Sequence, residues 1–275
     1  MARRTAKPAL TARNADRYAL YQEAVQSPED DFAFLRRIYR QHAGREALHL
    51  REDFCGTALL SSTWVTRSPR HTAEGFDLDP EPLAWGRKHN LAPIGAAAKR
   101  VLLHRQDVRE PGRKKADLRL AQNFSYYVFQ KRDELVGYFR SARAGLAKDG
   151  LFAVDVYGGT EAMAEVKEYK RLSRGARYVW EQNAYYPGTG EYLCFIHFRF
   201  RGGSRLERCF RYVWRYWSIV EVRDALLDAG FEHVDSYFEQ TDRPDGEGNG
   251  KFKLDQRGSS GRDCIGLVAY LVARG

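Results

Sequence analysis

Residues 47–87 read ALHLREDFCGTALLSSTWVTRSPRHTAEGFDLDPEPLAWGR, and the order of patterns within that stretch decides the fold. Ala47–Glu52 predicts a short strand, Cys55-Gly56-Thr57 a turn, and Ala58 to Arg67 a helix. Ala73–Asp77 predicts a second strand and Pro80 to about His89 a second helix. Strand, short loop and helix in alternation build a parallel sheet, because the return between parallel strands needs a crossover that covers a face.

The rhythm continues outward in both directions. Arg100–His104, Asp117–Gln122 and Leu151–Tyr157 predict three more strands, with a helix over Arg132–Leu146. Upstream, Ser27-Pro28-Glu29-Asp30 predicts a helix start: a capping hydroxyl, a proline at the first helical position, and acids at the positive end of the dipole. That helix should end near Ala43-Gly44. Residues 1–13 are small, basic and without apolar period, which predicts a flexible tail.

Beyond Tyr157 the pattern changes to long, aromatic, β-rich runs. Arg177–Tyr186, Tyr192–Arg201 and Arg205–Tyr216 are separated by Pro187–Gly190 and Gly202–Ser204, both good hairpin turns. They predict a three-stranded antiparallel insertion. A two-residue loop at Gly202-Gly203 would set Phe195 opposite Phe210 and Leu193 opposite Tyr212. Ser218–Glu221 is a capping box opening a helix that ends at Gly230. Strands over Phe231–Phe238 and Cys264–Val272 follow, with a polar loop or flap over 239–262 between them. The expected architecture is α/β: a Rossmann-like, seven-stranded, mostly parallel sheet with helices on both faces. It draws on 47–157 and 218–275, with a helical cap over 14–46 and the antiparallel insertion over 158–217.

Composition narrows the function classes. Of 275 residues 43% are hydrophobic and 13% aromatic, which excludes wholesale disorder. No apolar run is long enough for a membrane helix, and the basic start lacks a signal-peptide core, so a cytoplasmic protein is expected. Cys55, Cys194, Cys209 and Cys264 form no Cys-x-x-Cys pair, so neither a zinc site nor a disulfide framework is expected. A net charge of +9 keeps nucleic acid open as a partner. The basic residues nevertheless fall in small groups, which a solvated surface explains equally well.

The chemistry concentrates at strand ends. A glycine turn follows the first strand, Asp77 ends the second, and Asp107 follows the third. Gly56 has no Cβ, so backbone can approach a ligand there. Asp77 can accept from both hydroxyls of a ribose, and Asp107 from an adenine amino group. Phe54 would crowd a pyrophosphate, which disfavours a dinucleotide. Asp79, followed by Pro80, reads as a helix cap more than as a ligand, and Cys55 reads as packing.

In this order the motifs resemble the class I S-adenosylmethionine-dependent methyltransferases, from about Ala47 to the end of the chain. Asn14–Gly44 is similar to their N-terminal cap. EDFCGTA (52–58) resembles the acidic-x-G-x-G-x-G turn, with Glu52 as the acid, Gly56 as the middle glycine, and Phe54 and Ala58 in place of the others. GFDLDPEPLAWGR (75–87) resembles the second motif, which implies Asp77 on the ribose and Leu78 beside the adenine. RQDVRE (105–110) resembles the third, implying Asp107 and the Val108 amide at the adenine edge. AQNFSYYVF (121–129) resembles the fourth, which lines the transfer site. The implied cofactor is S-adenosylmethionine, leaving as S-adenosylhomocysteine. Its implied contacts are Glu52 on the α-amino group, Phe54, Cys55, Gly56, Thr57, Ala58, Asp77, Leu78, Asp79, Asp107, Val108, Asn123 and Phe124.

Methyl transfer from a sulfonium is an in-line displacement, so alignment matters more than a nucleophilic side chain or a metal, and none is expected here. Asn123 and Tyr126 are the expected catalytic residues, orienting the acceptor, with Tyr18, Tyr21, Ser125, Tyr126 and Arg211 as acceptor contacts. Tyr18 and Tyr21 share a helical face, which core packing would use equally. Arg211 and Arg215 share a strand face and would suit an anionic acceptor if they point inward. His197 reads as a surface residue rather than a base. The insertion followed by RYWSIVEVRDALLDAGF (215–231) resembles small-molecule N-methyltransferases. That implies a small-molecule amine acceptor, and an insertion that roofs the acceptor or forms a homodimer interface. The alternatives are RNA or protein methylation through the basic surface, or a non-catalytic cofactor-binding module.

Overall fold

Residues 9–241 and 248–275 are described by the computed structural model. Residues 1–8 of the expected tail and 242–247 of the expected loop lie outside the described residues. The helices are α1 (Arg17–Val25), α2 (Pro28–Ala43), α3 (Leu59–Thr66), α4 (Pro80–Gly86), α5 (Arg132–Ala144) and α6 (Ile219–Asp228). The strands are β1 (His49–Asp53), β2 (Thr72–Asp77), β3 (Val101–Arg105), β4 (Ala116–Ala121), β5 (Leu146–Gly158), β6 (Val166–Arg171), β7 (Ala176–Tyr186), β8 (Glu191–Phe200), β9 (Arg205–Arg215), β10 (His233–Glu239), β11 (Phe252–Leu254) and β12 (Leu267–Arg274). They divide into two compact units, one of Ser27–Ala162 with Arg215–Gly275 and one of Met1–Gln26 with Met163–Trp214.

The larger unit carries an eight-stranded sheet in the order β11-β10-β12-β5-β4-β1-β2-β3. β3, β2, β1, β4 and β5 are parallel neighbours, and β12, β10 and β11 run antiparallel. The eighth strand is β11, from within the expected loop. Three residues in a polar stretch carry too short an alternation to announce a strand. Leu50, Leu118, Leu120, Ala153, Ile38 and Trp64 belong to the core. From β1 the chain winds outward through β2 and β3, then returns to the other side of β1 for β4 and β5. The reversal lies between β1 and β4, and in open sheets of this kind ligands bind outside the carboxyl ends of the strands at such a point.

Helix ends follow local chemistry. Pro28 opens α2, with Glu29, Asp30 and Asp31 in its first turn and left-handed Gly44 closing it, but the Ser27 side chain makes no capping hydrogen bond, contrary to expectation. The Ser218–Glu221 box caps α6 as its spacing predicts.

The smaller unit carries a four-stranded antiparallel sheet, β6-β7-β8-β9, one strand more than expected. β6 reads VKEYKR and is almost wholly exposed, so it has little apolar alternation to reveal it. Ala176, Ile196, Phe198 and Phe200 form its core with Leu10 and Leu20. Leu10, expected in a flexible tail, is thus part of a core. α1 belongs to this unit and α2 to the other, so the expected cap over 14–46 is divided. The β8–β9 hairpin closes with Phe200 N donating to Ser204 O at 3.0 Å and Gly203 N to Phe200 O at 2.9 Å. Its loop is Arg201–Gly203, one residue longer than expected. Phe210 packs against the rings of Tyr18 and Tyr21 at 6.0 and 5.1 Å, while Phe195 lies 4.7 Å from the Arg208 guanidinium.

Candidate functional site

The turn after β1 follows an unusual backbone path. Phe54, Gly56 and Ala58 all take left-handed φ, at 55°, 49° and 55°. For the two residues with a Cβ this costs about 1–2 kcal/mol each, so neighbouring structure must impose it. Cys55 N donates to Phe76 O at 2.9 Å, Ala58 N to Cys55 O at 2.7 Å, and Asn90 Nδ2 to Thr57 O at 2.8 Å. Gly86 of α4 packs so closely that a Cβ there would stand 2.2 Å from the Thr57 oxygen. The Phe54 ring joins Phe129 and Tyr138 at 6.1 and 5.8 Å. Cys55 is buried against Gly75, and burial pushes its thiol well above the ordinary range. It is a packing residue.

Asp77 ties this turn to the end of β2. One carboxylate oxygen accepts from Gly56 N at 2.7 Å and the other from Asp79 N at 2.9 Å; burial raises its pKa. Each oxygen keeps a further lone pair. Asp79 caps α4, accepting from Glu81 N at 2.9 Å. Leu78 beside it is 64% exposed, an apolar surface at the strand end. Asp107 is clasped by Arg109, with Nε at 2.9 Å and Nη2 at 2.7 Å, and these hydrogen bonds hold its pKa below the ordinary range. The Val108 side chain is buried, and its carbonyl accepts from Arg51 and Arg119, both at 2.6 Å.

Those two arginines expose a residue the motifs pass over. Buried Asp53 accepts from Arg51 Nε at 2.8 Å, Arg119 Nε at 2.6 Å and Tyr138 Oη at 2.8 Å. It joins β1, β4, α5 and the loop after β3 into one network. A signal existed: central parallel strands are normally near-continuous apolar runs, and β1 instead reads HLRED, buried throughout.

At the end of β4, Asn123 and Phe124 again take left-handed φ, 57° and 55°. Their amides donate to the two carboxylate oxygens of Asp155 at 2.6 and 2.9 Å. Burial raises Asp155 to about 7. Ser125 Oγ donates to Gln122 O at 2.8 Å. Tyr126 corrects an expectation: it is fully buried, and its hydroxyl donates to Asp155 O at 2.8 Å. That hydroxyl is engaged within the core. Glu52 accepts from Ser61 N and Oγ at 2.9 and 2.5 Å. Burial, aided by Asp31 and Asp77, raises Glu52 to about 7. Asp31, on the first turn of α2, accepts from Tyr270 Oη at 3.1 Å, which itself accepts from Gln122 Nε2 at 2.6 Å. Burial raises Asp31 to about 6. Neither Asp31 nor Asp155 carries a motif signal, since each acts through a partner remote in sequence.

Glu52, Asp31, Asp77 and Asp155 thus form a field of carboxyls with raised pKa values, several raising one another. Among the described residues none of the four is ion-paired. Such a field favours a cationic ligand, whose charge would hold the carboxyls ionised.

Tyr18, Tyr21 and Arg211 lie in the smaller unit. Arg17 donates to Tyr18 Oη at 2.8 Å, and Arg211 is exposed. Arg215, in the larger unit, stacks on Trp217 with its guanidinium 3.7 Å from the ring centroid and donates to Gln130 O at 3.1 Å. Its guanidinium also lies 3.6 Å from the Glu221 carboxylate. His197 is not a surface residue: it is buried, with Glu181 at 2.7 Å and Glu207 at 2.6 Å on its two ring nitrogens. Among the described residues no group of three His, Cys, Asp or Glu side chains is placed to hold a metal, and no helix is long and apolar enough to cross a membrane.

No protein-family model matches the chain, and neither does any curated protein. Solved structures do resemble it. A S-adenosylmethionine-dependent methyltransferase from Clostridium acetobutylicum is 15% identical, covers 94% of this chain and 97% of its own, and superposes with a TM-score of 0.66. CalS10, an amino pentose methyltransferase from Micromonospora echinaspora solved with S-adenosylmethionine bound, is 17% identical over 94% of this chain and 96% of its own, with a TM-score of 0.64. The sugar N-methyltransferase KedS8 from Streptoalloteichus is 15% identical over 100% of this chain and 97% of its own, with a TM-score of 0.62. The described residues have the fold of these methyltransferases.

Proposed function

We propose that the chain is an S-adenosylmethionine-dependent methyltransferase acting on a small-molecule amine in the cytoplasm. The observation that carries this reading is the field of four carboxyls, Glu52, Asp31, Asp77 and Asp155, with raised pKa values and, among the described residues, no ion-pair partner, together with the left-handed turn after β1. S-adenosylmethionine carries two positive groups, a sulfonium and an α-ammonium, and fits that charge. When bound it supplies an electrophilic methyl on sulfur, transferred in line to the acceptor with S-adenosylhomocysteine left behind.

The chain's own residues bind and orient. Glu52 is assigned to the α-ammonium, and the backbone of Phe54, Cys55, Gly56, Thr57 and Ala58 to the methionine chain. Asp77 takes the ribose hydroxyls on its remaining lone pairs, and Leu78 offers its exposed side chain to the adenine face. Asp107 and the Val108 amide take the adenine edge, with Arg109 retained on the carboxylate. Asn123, Phe124 and Ser125, held by Asp155 and Gln122, are assigned to the acceptor side. Holding the reactants in alignment can contribute about 7–11 kcal/mol to such a displacement. An amine acceptor is favoured because a carboxyl-rich site attracts ammonium groups and can take the proton an amine must lose. KedS8, which shares this fold, is a sugar N-methyltransferase, and that supports the choice of nitrogen as the acceptor atom.

Titration calorimetry with S-adenosylmethionine and S-adenosylhomocysteine tests this. Both should bind, and Asp77→Ala should weaken both by about tenfold or more, the worth of a hydrogen bond to a charged group. No binding by either ligand to folded protein would overturn the enzyme reading. Labelled-methyl transfer to pooled amines, against pooled alcohols and RNA, then tests the acceptor class.

A further inference from the structure

Directly paired residues of antiparallel strands project to the same face. In the smaller unit the register sets Arg171 opposite Arg177 and Arg177 opposite Arg199. Three guanidinium groups therefore form a row across β6, β7 and β8. Arg201, from the β8–β9 turn, joins them in lining one concavity of about 580 Å³.

Like charges directly opposed across strands destabilise a sheet, and the remainder of this face avoids them. Lys167 pairs with Glu181 at 2.9 Å, and His197 sits between Glu181 and Glu207. Among the described residues none of the four arginines has an acidic partner. The Arg199 Nε is buried without a hydrogen-bond partner, and its guanidinium is 5.5 Å from the Tyr169 ring centroid. One end of the face is thus charge-compensated, and the other holds four cations and an orphaned N–H.

We propose that this concavity is a second binding site, for a compact phosphate polyanion of the pyrophosphoryl kind. Planar guanidinium forks match phosphate oxygens two at a time. Four of them exceed what one carboxylate would balance. The volume lies within the range of small-ligand pockets, about 300–1,000 Å³. The row is only three residues long and closes with Arg201 on one cavity, and buried Phe200 is the one aromatic side chain among the lining residues. A single-stranded nucleic acid would want both a track and stacking rings.

Calorimetry on the full-length protein with inorganic pyrophosphate, inorganic phosphate and a single-stranded oligonucleotide tests the proposal. Pyrophosphate should bind saturably, more tightly than phosphate, and more weakly as salt rises. The double substitution Arg177→Ala/Arg201→Ala should weaken it roughly tenfold or more, while the free variant melts at the same or higher temperature because a repulsion is gone. Arg177→Gln, which keeps most of the stem, should show the same trend if the double variant folds poorly. No pyrophosphate binding by folded protein, or unchanged binding in a folded variant, would overturn it. So would oligonucleotide binding that depends on these arginines while pyrophosphate fails to bind.

Discussion

Gly86→Ala isolates the way the turn after β1 is held. Replacing a helical glycine by alanine ordinarily gains about 0.5–1 kcal/mol. Gly137 in α5 should behave so, because a Cβ there meets nothing within 4 Å. Gly86 has equally helical angles, φ −61° and ψ −41°, but its Cβ would stand 2.2 Å from the Thr57 oxygen and 2.7 Å from the Thr57 carbon. Ordinary contact begins at 3.4 Å, so Thr57 would have to retreat by about 1 Å. It is not free to do so, since Asn90 holds its carbonyl and Asp77 holds the adjacent Gly56 amide. Overpacking of this kind costs about 1–3 kcal/mol. Set against the helical gain, the net expectation is a loss of about 1–2 kcal/mol, with weakened S-adenosylhomocysteine binding because the turn has moved. Urea unfolding of Gly86→Ala and Gly137→Ala in parallel reads the sign, and calorimetry reads the affinity. If Gly86→Ala proved as stable as Gly137→Ala and kept full affinity, the close approach of α4 would not be what fixes the turn.

Asp53→Ala strands two buried guanidiniums and should cost about 3–5 kcal/mol by denaturant unfolding; a loss below about 1 kcal/mol would mean the network contributes no more than a surface ion pair. Glu52 and Asp155 are raised to about 7 and Asp31 to about 6, so between the ordinary carboxyl range and neutrality the native state keeps protons the unfolded chain has lost. Stability of the free protein should therefore fall as pH rises through that window and level off above it. S-adenosylmethionine affinity should rise over the same window, and Glu52→Gln should flatten the rise; a pH-independent affinity in the unsubstituted protein would refute the cation assignment. Tyr126→Phe should leave methyl transfer intact and cost about 1 kcal/mol of stability, the worth of its hydrogen bond, whereas lost turnover at unchanged stability would restore the tyrosine to the site. Ala58→Gly should leave stability unchanged or raised, the reverse of the usual direction, because glycine relieves a left-handed residue whose burial returns only part of the cost; a thermal melt with a clear loss would show that the buried methyl more than offsets the strain.

What the sequence discloses follows from the range of the forces involved. β1, β2 and β4 are legible because a central parallel strand must be extended, buried and followed by a crossover, all local properties. β6 and β11 are not, since one is charged along its length and the other is three residues long. Asp77 is legible because it ends a strand beside a turn. Asp155 and Asp31 are not, because their significance lies in amides and hydroxyls more than 30 residues away. Tyr126 and Tyr127 adjoin in one motif, and only the short helical turn they occupy decides that both point into the core.

The turn itself shows how a left-handed path is held without a glycine at each position. Two of three left-handed positions carry side chains that disfavour the conformation by about 1–2 kcal/mol each. Both side chains are placed to return much of that. Phe54 joins an aromatic cluster with Phe129 and Tyr138, and Ala58 is wholly buried with Cys55 and Leu83. Burying such groups contributes roughly 25 cal/mol per Å² of apolar surface. The path is then dictated from outside, by Phe76 O, Asp77, Asn90 and the bare face of Gly86, so glycine is required at Gly86 more strictly than at positions 54 and 58. A search for the glycines looks in the wrong element. The residues that identify the turn are the ones in β2 and α4 that press against it.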